Sequence, residues 1–516
     1  MLDLRQCALG IEFGSTRIKA VLVDGSHAPV AQGDFTWENQ LKDGVWTYPL
    51  EAVHTGLQHA YAALATDVQA KYGQPLTTVG CIGISAMMHG YLAFDGADRL
   101  LVPFRTWRNT MTGPAAAELT EALGFNIPQR GSIAHFYQAL LNGEGHLGEL
   151  AFFTTLAGYV HWRLTGQKVL GVGDASGMFP IDSATGNWNE EMLKKFEQLT
   201  RDQPWNIRDV LPRVLLAGQD AGRLTAEGSA WIKGLLPVGL PFAPPEGDAG
   251  TGMVATNAVA PRTGNVSAGT SIFAMVVLEK PLSKVYTEID VVTTPSGKDV
   301  AMVHCNNCTS DLNAWVSLLA ESAALCGVEV DKGTLFTKLF NASLRGAPDC
   351  GGVTPVNYFS GESVTHFDAG LPLLLRRPDA DFTLANFMRA NIYSAFATLA
   401  MGLEILKNED VAVDTLLGHG GLFKTPGVAQ RYLAAAAGAP VTCMETAGEG
   451  GPYGMALLAA YRLHRAEGET LADYLKTRVF ADARSTTVTP DAADVAGFAA
   501  FLREYERALK AERAVV

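Results

Sequence analysis

The sequence holds no Gly-x-x-x-x-Gly-Lys-Ser/Thr segment, so any phosphate chemistry it performs does not rest on a P-loop. Cysteine is sparse: 7 residues spread over 516, which fits reduced thiols rather than a disulfide scaffold. Positive charge is short as well. The 40 basic residues face 53 acidic ones, for a net charge of −13. That balance argues against nucleic acid as a general partner and leaves room only for a local basic pocket. No uninterrupted apolar run reaches the length of a membrane span, so no membrane association is expected. The opening residues, Met1-Leu-Asp-Leu-Arg-Gln-Cys7, lack a basic stretch followed by an apolar one; no signal peptide is expected, and the expected location is cytoplasmic.

What is present is an ordinary globular balance, 48% apolar and 18% charged. A chain of this length is too long for one compact core, so at least two domains are expected. Two segments share one pattern: Gly10 to Asp24 and Gly264 to Val277 each read as a short apolar strand, a tight Gly/Ser/Thr corner and a second β-type run. The corners are Gly14-Ser15-Thr16, followed by Arg17 and Lys19, and Gly269-Thr270-Ser271. Glycine lets the backbone approach a ligand closely, and the corner N–H and hydroxyl groups can bind phosphate oxygens. One such hairpin is ordinary. Two at equivalent places in two halves point to a duplicated domain that holds a nucleotide from both sides. Glu12, an acid facing the first corner, suits a magnesium ion bound directly or through water, because hard cations prefer oxygen donors.

Along the chain, residues 50–71 read as a long amphipathic helix and Val79 to Ser85 as a fully apolar, central strand. An edge strand, Tyr91 to Asp95, follows Met88-His89-Gly90. Strands mixed with helices of this length indicate an α/β layered architecture. Residues 110–245 read as mainly helical, and four prolines between Pro237 and Pro245 lead into the Gly-rich segment Glu246 to Gly252. The domain boundary is expected near 253–260. Leu416 to Tyr461 reads as strand, Gly-rich loop, helix, strand, loop and helix, and the charged tail as helical. The expected division is therefore 1–255, 256–465 and a helical extension, 466–516, packing on the body.

Several residues carry chemistry. Asp248, in the Gly-rich hinge, could remove a proton from an attacking hydroxyl; taken alone it is more simply a turn residue. His89 stands at a strand end, where α/β proteins place ligands, and could hydrogen-bond a sugar hydroxyl or be an ordinary satisfied histidine. Trp107, Arg108 and Asn109 could add an aromatic wall and polar donors, or form a plain surface loop. Cys305 and Cys308 form a Cys-x-x-Cys without a second ligand pair or a thioredoxin-like context, so buried structural thiols are expected. Gly171-Val-Gly-Asp-Ala-Ser176 lacks the third glycine of a dinucleotide fingerprint.

Taken together and in order, these segments resemble the FGGY carbohydrate kinases of the actin/hexokinase/Hsp70 ATPase superfamily. Gly10 to Lys19 is similar to the family's first phosphate motif and Gly264 to Phe273 to its second. Met88-His89-Gly90 resembles the Met-His-Gly of xylulokinases, and Tyr159 to Gly166 the family's Tyr-x-x-x-Arg-Leu-Thr-Gly helix. Gly173-Asp-Ala-Ser-Gly177 resembles the Asp-x-Ser loop after it, and Gly247-Asp248 the segment with the catalytic aspartate. Gly418-His-Gly-Gly-Leu-Phe-Lys424, continuing through Val441, resembles the adenosine signature.

The resemblance implies two ribonuclease-H-like (actin-like ATPase) domains, each a mixed β-sheet flanked by helices, with an interdomain cleft. It implies ATP and Mg2+, with Gly14, Ser15, Thr16, Arg17, Lys19, Gly269, Thr270, Ser271, Gly420, Gly421 and Lys424 on the nucleotide. The sugar falls to Met88, His89, Trp107, Arg108 and Asp248, the metal to Glu12 and Asp248, and the proton of the attacking hydroxyl to Asp248. The partners implied are ATP and a small sugar, with a homodimer left open as the assembly. The chain departs from the family pattern at Glu12 (usually Asp), Ala249 (commonly Asn), Ala435 (usually Asp) and Ser310-Asp311 (often a Gly pair). The leading expectation is a ketopentose kinase acting on xylulose or ribulose. L-ribulose, a hexulose, a gluconate-like acid, a polyol, and a nucleotide-regulated binding protein of the same fold stand as alternatives.

Overall fold

The computed structural model describes residues 2–445 and 450–516. They fall into two units: 2–259 with Val291–Val300 and 450–482, and Ala260–Asp290 with 301–445 and Ala483–Val516.

The first unit is built on a mixed sheet. Strand β1 (Ala8–Phe13) pairs antiparallel with β2 (Arg17–Val23), which pairs antiparallel with β3 (Pro29–Thr36). On the far side of β1 run β4 (Cys81–Ala86) and then the short β5 (Glu246–Gly247), both parallel. All six residues of β4 are buried, as its unbroken apolar run requires of a central strand. Helix α1 (Leu50–Tyr72) packs on the β3 side of one face. Successive side chains alternate across a strand, so Gly10 and Glu12 point to the other face. There helix α6 (Gly450–His464) comes so close that a Cβ on Gly10 would stand 2.2 Å from the Pro452 carbonyl oxygen. A second core of this unit gathers Tyr91, Phe136, Phe153 and Phe196 among the helices of the 110–210 region. Between β4 and β5 in sequence lie helix α2 (Ser132–Leu141) and the one-turn helix α3 (Val172–Ser176). Helix α4 (Asp248–Ala255) follows β5 directly.

The second unit repeats the plan. Strand β6 (Thr263–Ala268) pairs antiparallel with β7 (Ile272–Val277), which is flanked by β8 (Asp299–Cys305). On the other side of β6 lie the parallel strands β9 (Thr415–Gly420) and β10 (Val441–Met444). The long helices α5 (Leu384–Asn408) and α7 (Ala492–Arg513) pack here, joined by a buried ion pair between Arg389 and Asp494. A hairpin with a parallel strand beside its first arm thus occurs in both units. The duplication read from the two corners extends to whole sheets.

Three details differ from the sequence reading. Helix α6 and the chain up to Asp482 belong to the first unit, because α6 seats on Gly10 and on β4. The tail is not one helical extension: Ser485–Val488 forms strand β11, antiparallel to β10, before Asp491 caps α7 by accepting from the Ala493 and Asp494 N–H groups. The strand after Gly90 is Leu92–Phe94. It is buried and pairs with Phe152–Thr154 outside the main sheet. Among the described residues no helix is long and apolar enough to cross a membrane.

Candidate active site

Asp248 is the first residue of α4, with Gly247 extended before it, so the segment read as a hinge is a helix N-terminus inside the first unit. Its Oδ1 accepts from the Met88 N–H at 3.0 Å and from the Ala249 N–H at 3.0 Å. The residue is exposed, and no partner for Oδ2 is found among the described residues. Surrounding protein still desolvates the carboxylate and raises its pKa, while the N–H donors and the charge of Arg130 pull the other way. The result is a carboxylate held by one oxygen and open at the other.

The Met88-His89-Gly90 corner turns through the left-handed region, with φ 68° at His89 and 89° at Gly90. Here His89 differs from its expected part. It is 4% exposed; its Nδ1–H donates to the Gly177 carbonyl at 2.9 Å and its Nε2 accepts from the Arg130 Nε–H at 3.2 Å. Both ring nitrogens therefore engage protein groups, and an imidazole that accepts at Nε2 is neutral. Met88 is 6% exposed, and its backbone N–H donates to Asp248. Arg130, which the sequence reading missed, is the cation of this site. No motif or spacing marks it.

Two further carboxyls lie behind Asp248. Glu246 fills the space beside Gly171 and Gly173, where added Cβ atoms would stand 2.3 and 2.4 Å from its oxygens, and it accepts from the Gly173 and Asp174 N–H groups. Asp174 accepts from the Thr155 hydroxyl at 2.6 Å. Burial, reinforced by the charge of Asp174, pushes Glu246 up to about 8. Burial, opposed by the Thr155 bond and reinforced by Asp248, pushes Asp174 up to about 7.

Glu12 extends from β1 towards the start of α6. Its Oε2 occupies the place that a Cβ on Gly451 would need, 1.5 Å away. Burial and then the charge of Asp248 raise its pKa to about 7, against the pull of Lys19, its cross-strand partner. Two mutually repelling hard-oxygen donors fit a magnesium ion, which commonly takes one or two carboxylates and completes its shell with phosphate and water. Among the described residues no group of three or more His, Cys, Asp or Glu could hold a metal.

The first corner is strapped from one side. The Trp37 Nε1–H donates to the Gly14 carbonyl (2.7 Å), the Tyr48 hydroxyl to that of Ser15 (2.6 Å) and the Trp37 N–H to that of Thr16 (3.1 Å). Among the described residues no acceptor meets the Ser15 and Thr16 N–H groups, the arrangement an anion-binding turn needs. Trp107 reaches the same turn, its Nε1 lying 3.3 Å from the Ser15 hydroxyl, whereas Arg108 stacks on Trp46 at 4.1 Å. Asn109 ties that loop to the Trp46 backbone. Arg17 pairs with Asp34 on the exposed side.

The second corner, in the second unit, is braced in the same way. The Thr309 N–H and hydroxyl both donate to the Gly269 carbonyl and the Cys308 N–H donates to that of Thr270, leaving Thr270 exposed. Gly420, at φ 101°, lies against Ala268, where a Cβ would stand 2.4 Å from the carbonyl oxygen. The Gly420-Gly421 turn and the 3-10 turn to Lys424 thus lie beside the Gly269 corner. Cys305 and Cys308 are buried, and burial pushes both thiols up, so they are structural here. Asp311 is also buried, accepting from the Trp315 indole at 3.1 Å.

Residues 7–254 match the N-terminal domain, and residues 264–463 the C-terminal domain, of the FGGY family of carbohydrate kinases. The chain belongs to this family. As an FGGY carbohydrate kinase it is a phosphotransferase with an alcohol group as acceptor, and its two α/β units carry the actin-like ATPase fold. It is similar to a xylulose kinase of Haemophilus influenzae, 24% identical over 433 residues, 80% of this chain and 82% of that protein. The fold of this FGGY chain is shared with the xylulose kinase of Rhodospirillum rubrum (TM-score 0.79, 18% identity, 99% of each chain). It is shared as well with a gluconate kinase of Lactobacillus acidophilus (TM-score 0.77, 16% identity, 98% of each chain).

Proposed function

We propose that this FGGY kinase transfers the γ-phosphoryl group of ATP to a terminal hydroxyl of a ketopentose, xylulose or ribulose. The observation that carries the reading is Asp248: anchored at Oδ1 by two backbone N–H groups, open at Oδ2 and raised in basicity by its surroundings. Such a group takes the proton of the attacking hydroxyl as the new P–O bond forms and the bond to ADP breaks. The xylulose kinases among the similar proteins support the choice of sugar.

We assign phosphate binding to Gly14, Ser15, Thr16, Arg17 and Lys19 in the first unit. Nucleotide binding in the second falls to Gly269, Thr270, Ser271, Gly420, Gly421 and Lys424. Glu12 and Asp248 are the residues to hold magnesium, which when bound neutralises phosphate charge. Trp107 flanks both the corner and the sugar. Phosphoryl transfer depends chiefly on positioning and charge stabilisation, and the strapped corners supply both without reorganising.

The test is ADP release measured over D- and L-xylulose, D- and L-ribulose, glycerol and gluconate. Strong stimulation by at least one ketopentose is expected. Stimulation by none of the four ketopentoses refutes the sugar assignment, and sugar-independent turnover that survives Asp248→Ala refutes the kinase mechanism.

A further inference from the structure

We propose that Arg130 is the substrate-reading residue of this site, and that His89 is a positioning residue which holds it there. This inference rests on the kinase reading above and deepens it.

The argument is geometric. Met88 and His89 are neighbours in one left-handed corner; the first fixes the catalytic carboxylate through its N–H, and the second fixes the Arg130 guanidinium through Nε2. The base and the cation are thus set by adjacent residues of the same turn. Arg130 is held at its other end as well. Its backbone lies in a turn closed by the Gly131 N–H on the Pro128 carbonyl, and the first two residues of α2, Ser132 and Ile133, donate to the carbonyls of Gly177 and Met178. The Gly177 carbonyl is also the acceptor for the His89 Nδ1–H. Backbone and head of Arg130 therefore refer to one short segment, 177–178, and the side chain is preorganised beside Asp248, whose carboxylate feels its charge.

A guanidinium is a donor with no acceptor, so what it reads on a substrate is an oxygen that accepts. Near the hydroxyl undergoing phosphorylation that oxygen is a hydroxyl or carbonyl oxygen of a ketose, or a carboxylate oxygen of a sugar acid. His89 acts on the sugar only through Arg130.

The experiment is a double-variant cycle on the full-length protein, with KM and kcat measured for the preferred ketopentose and for gluconate, and KM for ATP alongside. Arg130→Gln is expected to raise the sugar KM by about tenfold or more, the scale of a lost hydrogen bond from a charged donor, with the ATP KM unchanged. His89→Asn tolerates the left-handed backbone and removes the Nε2 acceptor; a smaller rise in the same KM is expected. The double variant is expected to be no worse than Arg130→Gln alone. Whichever of the ketopentose or gluconate KM moves identifies the oxygen that Arg130 reads. Additive losses in the double variant would mean that His89 meets the sugar itself, and an unmoved sugar KM in Arg130→Gln would overturn the assignment outright. Arg130→Lys keeps the charge but loses the Nε–H, and gives the same comparison if the glutamine variant is unstable. A wild type inactive on every ketopentose refutes the sugar assignment instead, and leaves the Arg130 test to be read on gluconate or glycerol.

Discussion

Replacing Asp248 by asparagine removes one function and leaves the architecture in place. The Asn side-chain oxygen can still accept from the Met88 and Ala249 N–H groups, so the start of α4 and the 88–90 corner keep their contacts. The amide that replaces Oδ2 cannot take a proton. Loss of a positioned base lowers kcat by about 10²–10⁴-fold, equivalent to about 3–5 kcal/mol in the barrier. Stability should move the other way. Because surrounding protein raises the Asp248 pKa, the ionised form is less favourable in the folded state than in the unfolded one, and a neutral amide removes that cost. The expected pattern is therefore a large fall in ADP release with ketopentose while Tm holds or rises. In the wild type, kcat/KM should fall with decreasing pH as the base is protonated, with its midpoint above the ordinary carboxylate range. An Asp248→Asn protein that keeps more than about a tenth of the wild-type kcat falls outside the range for a general base. One that loses activity together with cooperative melting would show a structural role instead.

Glu12→Ala should raise the magnesium concentration needed for half-maximal rate; an unchanged requirement measured by titration would remove Glu12 from the metal site. Glu246→Gln should flatten the dependence of Tm on pH. The folded-state pKa of Glu246 is raised to about 8, so wild-type stability declines as pH rises from the carboxylate range towards that value, and thermal melts between pH 5 and 9 would show a shallower slope in the variant. Asp494→Asn strands Arg389, 2% exposed, without its anion, and should cost about 3–5 kcal/mol in denaturant unfolding of the second unit. Burial works against the Asp494 charge, but Arg431 and Arg389 outweigh it and hold its pKa low. The stabilisation from that pair is present above the ordinary carboxylate range and is lost as pH falls through the lowered value.

The parts of the fold legible in the sequence are those with local causes. The two corners announce themselves by composition, and β4 by an apolar run that only a central strand can bury. The helix at Asp248 was hidden because Asp-Ala-Gly-Thr-Gly is poor helix material by propensity. What favours it is the approach of α6, where a Cβ on Gly454 would stand 1.9 Å from the Thr251 carbonyl oxygen. That contact joins residues about two hundred apart in sequence, and it is Gly454 of α6, outside the segment that reads as a hinge, that lets the two helices touch. Strand β11 was missed for a similar reason: four residues carry too little pattern, and their state is decided by pairing with β10. Of the candidate site, the sequence offers the residue types that can carry chemistry but not the partners the fold gives them. For His89, nothing in the sequence says that its ring nitrogens meet the Gly177 carbonyl and Arg130.

The four acids gathered at the candidate site, Glu12, Asp174, Glu246 and Asp248, show why only one of them is suited to act as base. Glu246 has both oxygens turned to the Gly173 and Asp174 N–H groups and is buried, and its pKa near 8 keeps it mostly protonated at neutral pH. Asp174 accepts from Thr155 with one oxygen; the other is buried with no partner among the described residues, 3.3 Å from where a Cβ on Gly247 would stand. Glu12 is enclosed against Gly451. Asp248 alone joins an anchored oxygen to an exposed one. Burial, with the charge of a neighbouring carboxylate as a lesser cause, favours the neutral forms of Glu246 and Asp174, so they do not compete with Asp248 as bases. Those two fill the space behind Asp248, while Glu12 is the acid proposed for the metal. Of these four, Asp248 is the exposed one, the residue that an attacking hydroxyl can reach.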